Sequence, residues 1–523
     1  MSPRPLQPSV ILVADRTLSA RYRVLFEGIF ATMQTTQVPE GLMRHLLSPS
    51  AATDPHGRAH IAALGLRRIE SSLRADAGLK ADDVVCTTPE RISGLLGPWV
   101  KAVLFSSSDP LGRGMSNTTT SNFWKGELYT RRWTREILLQ LKAARQRHPF
   151  KVVLGGAGAW QCAAYPDQAS DLGIDIIYEG YFEDAGPEFI VDLLNDRYTG
   201  TRISATGTAI ERVRPICGGS MMGIIELSRG CGRGCRFCSM ANKAMRHLTE
   251  DLILSDLQTN LAAGVRSVVS GSEDFFRYGA AGLKPDFEAL HRLLTGMRRL
   301  KGLSFMQIDH ANVTSVLQLT DDQLMEIRRL LTWERPSRYL WVNMGVESAN
   351  GLLVAANSPG KIAPFRPDDW ADMVREAVTR LNHTGFFPVI SLILGLPGEQ
   401  PSDVALTLKL VRELSRLEVV VFPIFYEPVL EEEIRANRRF SLMEMRPDHL
   451  DLYRTCYEIN FKQVPKLFLD NQRAGGVPWL KSAVMQVLGR AEILNWRMTF
   501  RGLARKLQSS SATAAGKVMK ETA

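Results

Sequence analysis

Along the first 200 residues, short apolar runs alternate with stretches of helical periodicity. The runs Val10–Asp15, Val84–Thr88, Lys101–Phe105, Lys151–Leu154 and Ile174–Tyr178 predict strands. Between them, Thr130–Arg147 sets Trp133, Ile137, Leu138 and Leu141 on one face and basic residues on the other, which predicts an amphipathic helix. Arg91–Trp99 predicts a weaker helix, interrupted by Gly94 and Gly97. Several runs end in small or polar residues: Ser106-Ser107-Ser108-Asp109, Gly155-Gly156-Ala157-Gly158 and Glu179-Gly180. Strand, small-residue turn and helix in repetition predict an α/β fold with a doubly wound parallel sheet. Its ligand should bind beyond the carboxyl ends of the strands.

A polar segment rich in Gly and Thr, around Asn195–Pro215, breaks this pattern. A second alternation follows, with strands expected at Met222–Leu227, Ser267–Ser270, Ser304–Ile308, Tyr339–Met344, Pro388–Leu394 and Val419–Phe425. Six strands separated by helical stretches predict a (β/α)6 partial barrel whose chemistry sits on the loops after the strands. Beyond Pro428 the chain reads as mainly helical. The expected units are therefore 1–205, a doubly wound sheet; 206–430, a partial barrel; and 431–523, a helical region.

Composition narrows the possible chemistry. The chain has 523 residues, is 45% hydrophobic and 23% charged, and has a net charge of +9. That is an ordinary globular balance. A membrane span needs roughly 18–20 continuous apolar residues, and none is present. The run Val10–Ala14 is too short for the apolar part of a signal peptide, so a cytoplasmic location is expected. The positive charge is thinly spread and partly lies after Arg501, in a tail expected to be solvated and frayed, so a nucleic-acid partner is not expected. Of seven cysteines, Cys86, Cys162, Cys217 and Cys456 are scattered. Cys231, Cys235 and Cys238 fall within eight residues, which in a reducing compartment points to metal or redox chemistry.

The cluster reads Cys231-Gly-Arg-Gly-Cys235-Arg-Phe-Cys238 and directly follows the first expected barrel strand. A structural zinc site wants four ligands, usually from two knuckles. There is no second CxxC here, and the nearest further donor is His247. Three thiolates suit a [4Fe–4S] cluster better, holding three irons and leaving the fourth for an outside ligand. Gly232 and Gly234 let the loop wrap such a cluster.

CxxxCxxC with an aromatic residue, Phe237, before the last cysteine resembles the signature of the radical SAM superfamily. That resemblance implies that the free iron is chelated by S-adenosylmethionine (SAM). Three further strand-end motifs fit it. Gly271-Ser272-Glu273 resembles the GGE-like segment at the SAM amino group, with serine in place of the middle glycine. Gly345-Val346-Glu347-Ser348 resembles the GIES segment near the ribose or methionine moiety, and Gly395-Leu396-Pro397-Gly398-Glu399 the GLPGE turn at the adenine. Asp309, His310 and Asn312 follow the third strand and point to the same open face.

A doubly wound, Rossmann-like sheet before such a barrel resembles the cobalamin-binding domain of B12-dependent radical SAM enzymes. Ser106, Ser107, Ser108, Gly155, Gly156, Gly158, Glu179 and Gly180 would form the edge against the corrin. The lower-ligand signature DxHxxG is missing; Asp54-Pro55-His56-Gly57 comes near it, so cobalt is expected to lack a histidine ligand. The combination implies a C-methyltransferase in which the SAM methyl passes to cobalt and then to a carbon of a small molecule, with an external electron donor. Arg21–Gly28 and Ser270–Gly279 resemble the tryptophan 2-C-methyltransferase type of thiopeptide biosynthesis. That type implies polar methylation of indole C2, with Glu273, Tyr278 and His310 as candidate bases and Arg277 as a candidate carboxylate holder. The alternative is a radical SAM enzyme acting on RNA or another natural-product scaffold through a deoxyadenosyl radical. An RNA methylthiotransferase would carry a second cluster on amino-terminal cysteines, where only Cys86 and Cys162 are available.

Overall fold

The computed structural model describes residues 6–240, 242–332 and 338–521. Six parallel strands form the first sheet: β1 (Val10–Ala14), β2 (Val84–Cys86), β3 (Ala102–Ser106), β4 (Lys151–Gly155), β5 (Ile176–Glu179) and β6 (Arg202–Ser204), in the order β2-β1-β3-β4-β5-β6. Its central strands are largely apolar because both faces are covered. Val10, Leu12 and Ala14 of β1 enter one core, whereas Ile11 and Val13 enter the other. The helix α1 (Leu25–Met33) contributes to neither of these cores. Helices α2 (Leu64–Asp76) and α4 (Phe182–Leu194) cover one face, and α3 (Tyr129–Ala144) the other.

Two expectations fail here. Arg91–Trp99 is not a helix beyond a single 3-10 turn at Ile92–Gly94. Gly97 lies under the Trp99 indole, where a Cβ would come within 2.4 Å of the ring, so the segment folds back on itself. The polar segment expected to break the alternation supplies β6, a three-residue edge strand whose polar sequence suits an exposed sheet margin.

The second unit is the expected partial barrel. Strands β7 (Ile224–Glu226), β8 (Ser267–Gly271) and β9 (Phe305–Ile308) form one parallel set, in the order β9-β8-β7. Strands β10 (His310–Ala311), β11 (Leu340–Glu347), β12 (Phe386–Leu394) and β13 (Val420–Phe425) form the other. The third strand therefore breaks at Asp309: β9 pairs back to β8, and β10 pairs forward to β11. This break lets the wall curve, and it lifts Asp309 and His310 to the rim.

Helix α1 closes the barrel. Leu25 N–H donates to Gln307 Oε1 at 3.2 Å, and the Phe26 ring lies 3.9 Å from Trp341. Around it pack Phe305, Phe387, Val389 and Val420, alternate residues of the barrel strands. Beyond the barrel run α5 (Pro447–Ala474) and α6 (Trp479–Glu521). The basic tail expected to fray after Arg501 is thus carried on α6. No helix among the described residues is long and apolar enough to cross a membrane.

Candidate functional site

The cysteine loop leaves β7 and is pinned at several points. Gly230 has a φ of +73°, and a Cβ there would lie 2.5 Å from Ala244 O. Only glycine permits that approach. Cys231 N–H donates to Lys243 O at 2.9 Å, and Cys238 N–H to Cys235 O at 3.2 Å. All three cysteines are free and half-buried, while Phe237 beside them is buried. Burial pushes the Cys231 thiol up and the Cys238 thiol to about 11, each with Cys235 adding to the rise. Three half-buried sulfurs in one another's field form a donor set that a polynuclear iron centre would fit. Among the described residues, no three His, Cys, Asp or Glu side chains are grouped closely enough to share a single metal ion.

Arg233, inside the motif, was not singled out from sequence. Its buried guanidinium donates to Asp274 Oδ2 at 3.0 Å and to Gly360 O at 3.0 Å, and it reaches Ser315 Oγ. One side chain thus joins the cysteine loop to the loops after the second, third and fourth barrel strands. Arg277, expected to hold a substrate carboxylate, instead donates to Gly282 O and Cys231 O from a buried position. Its role here is to tether the loop backbone.

At the rim, Glu273 opens to the cleft with protein around it, and burial raises its carboxyl. The His310 charge opposes that rise and the Asp309 charge adds to it. His310 Nδ1 lies 3.1 Å from Asp309 Oδ1, and the Asp309 charge raises the imidazole to about 9. The Asp309 charge thus favours the cationic imidazole, the form that donates a proton. Histidine NMR should show this titration near pH 9, with Asp309→Asn moving it towards the usual value of about 6.5. The ion pair stabilises the fold fully below about pH 6.5, and that stabilisation is lost as pH rises through about 9. A wild-type titration below 7 would contradict the assignment. Tyr278 is corrected as a candidate base. Its hydroxyl donates to Leu248 O at 3.0 Å, and burial pushes it up to about 12.

Strand β11 ends in a bulge between Gly345 and Glu347, and Glu347 holds a φ of +64°. A non-glycine residue in this region stores strain, a feature that gathers at functional sites. Its carboxylate pairs with buried Lys361. Burial works against the lysine charge, but Glu347 and the nearby Cys235 and Cys231 more than offset it. A Cβ on Gly345 would meet both partners, at 2.3 Å and 2.5 Å. Lys361 carried no motif, so sequence reasoning missed it. Ser348 is buried, with its carbonyl bonded by Trp370 Nε1 at 2.9 Å. Gly395 N–H donates to Glu399 Oε2, Glu399 Oε1 meets His449 Nε2 at 2.7 Å, and Pro397 O accepts from Asn357. Gly271 and Ser272 close β8 beside the β7 end, where Leu227 N–H donates to Gly271 O.

The glycine-rich strand ends of the first sheet divide into two groups. Ser106, Gly155, Gly156 and Gly180 line a cavity of about 200 Å3 that also touches Tyr181, Glu183, Glu226 and Arg229. Ser107 does not reach it: it is buried with its hydroxyl 3.2 Å from Thr134. Gly158 packs on Pro110, where a Cβ would lie 2.2 Å from Cδ, Ser108 adjoins it, and Glu179 pairs with Arg202 at 2.6 Å. Gly180 has a φ of +103°, and a Cβ there would come 2.1 Å from Ala205 O. Gly180→Ala is expected to destabilise the chain by about 1–3 kcal/mol in urea denaturation, and an unchanged midpoint would contradict this.

Between cavity and cysteine loop lies a buried charge network absent from the sequence reading. Arg229 pairs with Glu183 at 2.8 Å and Glu226 at 2.9 Å, and stacks on the Tyr181 ring at 4.3 Å. Burial opposes its charge, but the two carboxylates offset it and hold it firmly protonated. Arg68 joins Glu226 to Asp256. The Tyr181 hydroxyl accepts from Gly230 N–H at 3.2 Å, so sheet and cysteine loop are directly linked.

Residues 225–411 match the Radical SAM superfamily. An uncharacterized protein of Methanocaldococcus jannaschii is 25% identical over 213 residues, 36% of this chain and 37% of that protein. The ribosomal protein uS12 methylthiotransferase RimO of Leptospira biflexa is 25% identical over 224 residues, 39% of this chain and 41% of that one. The chain thus spans about two fifths of the length of these curated relatives. Among solved structures, the radical SAM methyltransferase TsrM of Kitasatospora setae, with cobalamin and a [4Fe-4S] cluster bound, superposes with a TM-score of 0.51 at 12% identity. That superposition covers 82% of this chain and 75% of TsrM and shows a shared fold. The cysteine loop, Glu273, His310 and the Glu347–Lys361 pair thus lie in a radical SAM domain, residues 225–411 of this chain.

Proposed function

We propose that this chain is a cobalamin-dependent radical SAM C-methyltransferase acting on a small molecule. The observation that carries this is the placement of a three-cysteine radical SAM loop against a doubly wound sheet with a cavity at its carboxyl edge, with Arg229, Glu183 and Tyr181 between them. The TsrM structure, which has both cobalamin and a [4Fe-4S] cluster bound, supports the same pairing here. When bound, cluster and SAM would supply the methyl group and a path for electrons, and cobalamin a carrier for the methyl group. Cys231, Cys235 and Cys238 would hold the cluster. Glu273 and the Glu347–Lys361 pair would hold the charged end of SAM, and the Gly395–Glu399 turn would form the wall of its site. Ser106, Gly155, Gly156 and Gly180 would line the cobalamin site. His310, favoured in its cationic form by Asp309, would orient an anionic group or donate a proton, and Glu273 is a candidate base.

Tryptophan, methylated at C2, is the substrate reading that the sequence resemblance supports. It is tested by incubating reconstituted enzyme with SAM and tryptophan and examining the products by mass spectrometry. Methyltryptophan without deoxyadenosine supports polar methylation, and no methylated tryptophan rejects this substrate. The likeness to RimO favours a second reading, methylthiolation. Against it, Cys86 and Cys162 lie in separate cores on opposite faces of the first sheet, so they cannot share a second cluster.

A further inference from the structure

On the flank of the barrel, beside β13, helices α1, α5 and α6 enclose a hollow of about 450 Å3. A smaller one of about 190 Å3 adjoins it and shares Phe30, Phe422, Tyr457, Phe468, Glu492 and Trp496. None of the cysteines or strand-end motif residues lines either hollow. The walls are aromatic. The Trp124 and Trp496 rings meet edge to face at 4.5 Å, and Tyr457 lies 4.3 Å from Trp496. Into this surface projects one carboxylate, Glu492, shared by both hollows. Its hydrogen bond comes from Trp496 Nε1 at 3.4 Å, a long contact for a carboxylate. Burial raises its proton affinity, with the Trp496 bond opposing the rise. The basic residue lining the smaller hollow, Arg490, is exposed at its rim.

From this geometry we infer that the hollow is a second small-molecule site, which takes an arylalkyl ammonium ion. The aromatic faces would cover the ligand's ring and attract its charged head, and Glu492 would neutralise that head in a poorly solvated setting. The volume suits a drug-sized ligand rather than a peptide. Phe422 on its wall pairs in register with Ser391, which pairs in turn with Gly345 beneath the Glu347–Lys361 ion pair. One strand, β12, therefore separates this wall of the hollow from the strand that carries Gly345 and Glu347. This inference is independent of the methyl-transfer reading.

The test is calorimetry on the reconstituted full chain with three probes that share the phenethyl group: phenethylamine, 2-phenylethanol and 3-phenylpropionate. Phenethylamine should bind saturably at one site, at least tenfold more tightly than the alcohol, and the acid should not bind. Glu492→Gln should remove the preference for the amine while keeping the alcohol's affinity. Glu492→Asp, which keeps the charge, should retain the preference, and so guards against a misfolded first variant. Trp496→Leu should weaken amine and alcohol alike. Equal affinity for all three probes, no saturable binding, or an amine preference unchanged in Glu492→Gln would each overturn the inference.

Discussion

Cys235→Ala is expected to abolish [4Fe–4S] assembly and reduce methyl transfer to background. Each thiolate would hold one iron, and the loop offers no spare donor. Cys231 and Cys238 flank position 235, and Phe237 is buried among the barrel's apolar residues. An alanine would leave an iron without a protein ligand, and water is a poor substitute for a thiolate at such a centre. The same loss is expected for Cys231→Ala and Cys238→Ala. Cys217→Ala is the control. Cys217 is exposed and lies outside the loop, so both iron content and turnover should persist. Iron and sulfide analysis with the visible absorption spectrum reads the outcome. A Cys235→Ala protein with full iron and turnover would contradict the assignment of the loop.

The second large effect is on stability. Arg229→Met removes the cation that Glu183 and Glu226 share; Glu226 keeps Arg68, but buried Glu183 is left without its partner. Breaking a buried pair from one side costs about 3–5 kcal/mol. The network lies between sheet and barrel, so loss of Arg229 should also loosen the contact of Tyr181 with Gly230. Adding Glu183→Leu should recover part of the loss, because a matched apolar pair no longer buries an uncompensated charge. Chemical denaturation of the single and double variants measures both. A double variant weaker than the sum of its single changes would contradict this account of the network.

What could be read from the sequence was what is local. The strands of the first sheet appeared as apolar runs because Val10–Ala14 and its neighbours are buried on both faces. The cysteine loop and the strand-end glycines were legible because each lies within a few residues of chain. What was missed depends on contacts between distant residues. Arg229 finds Glu183 46 positions away, Arg233 finds Asp274 41 positions away, and Lys361 meets Glu347 across a loop without a motif. The role offered for Tyr278 failed for the same reason: its hydroxyl is taken up by Leu248 O, 30 positions away. The short polar edge strand at Arg202–Ser204 has too little apolar character to announce itself.

The central claim joins a radical SAM cluster and cobalamin in one methyl-transferring chain, and anaerobic reconstitution tests it most directly. Purified protein supplied with iron, sulfide and cobalamin should retain about four irons and one cobalamin per chain after desalting, and should convert SAM to S-adenosylhomocysteine together with a C-methylated product. Stoichiometric zinc without iron, or an iron-loaded chain that retains no cobalamin, would contradict it.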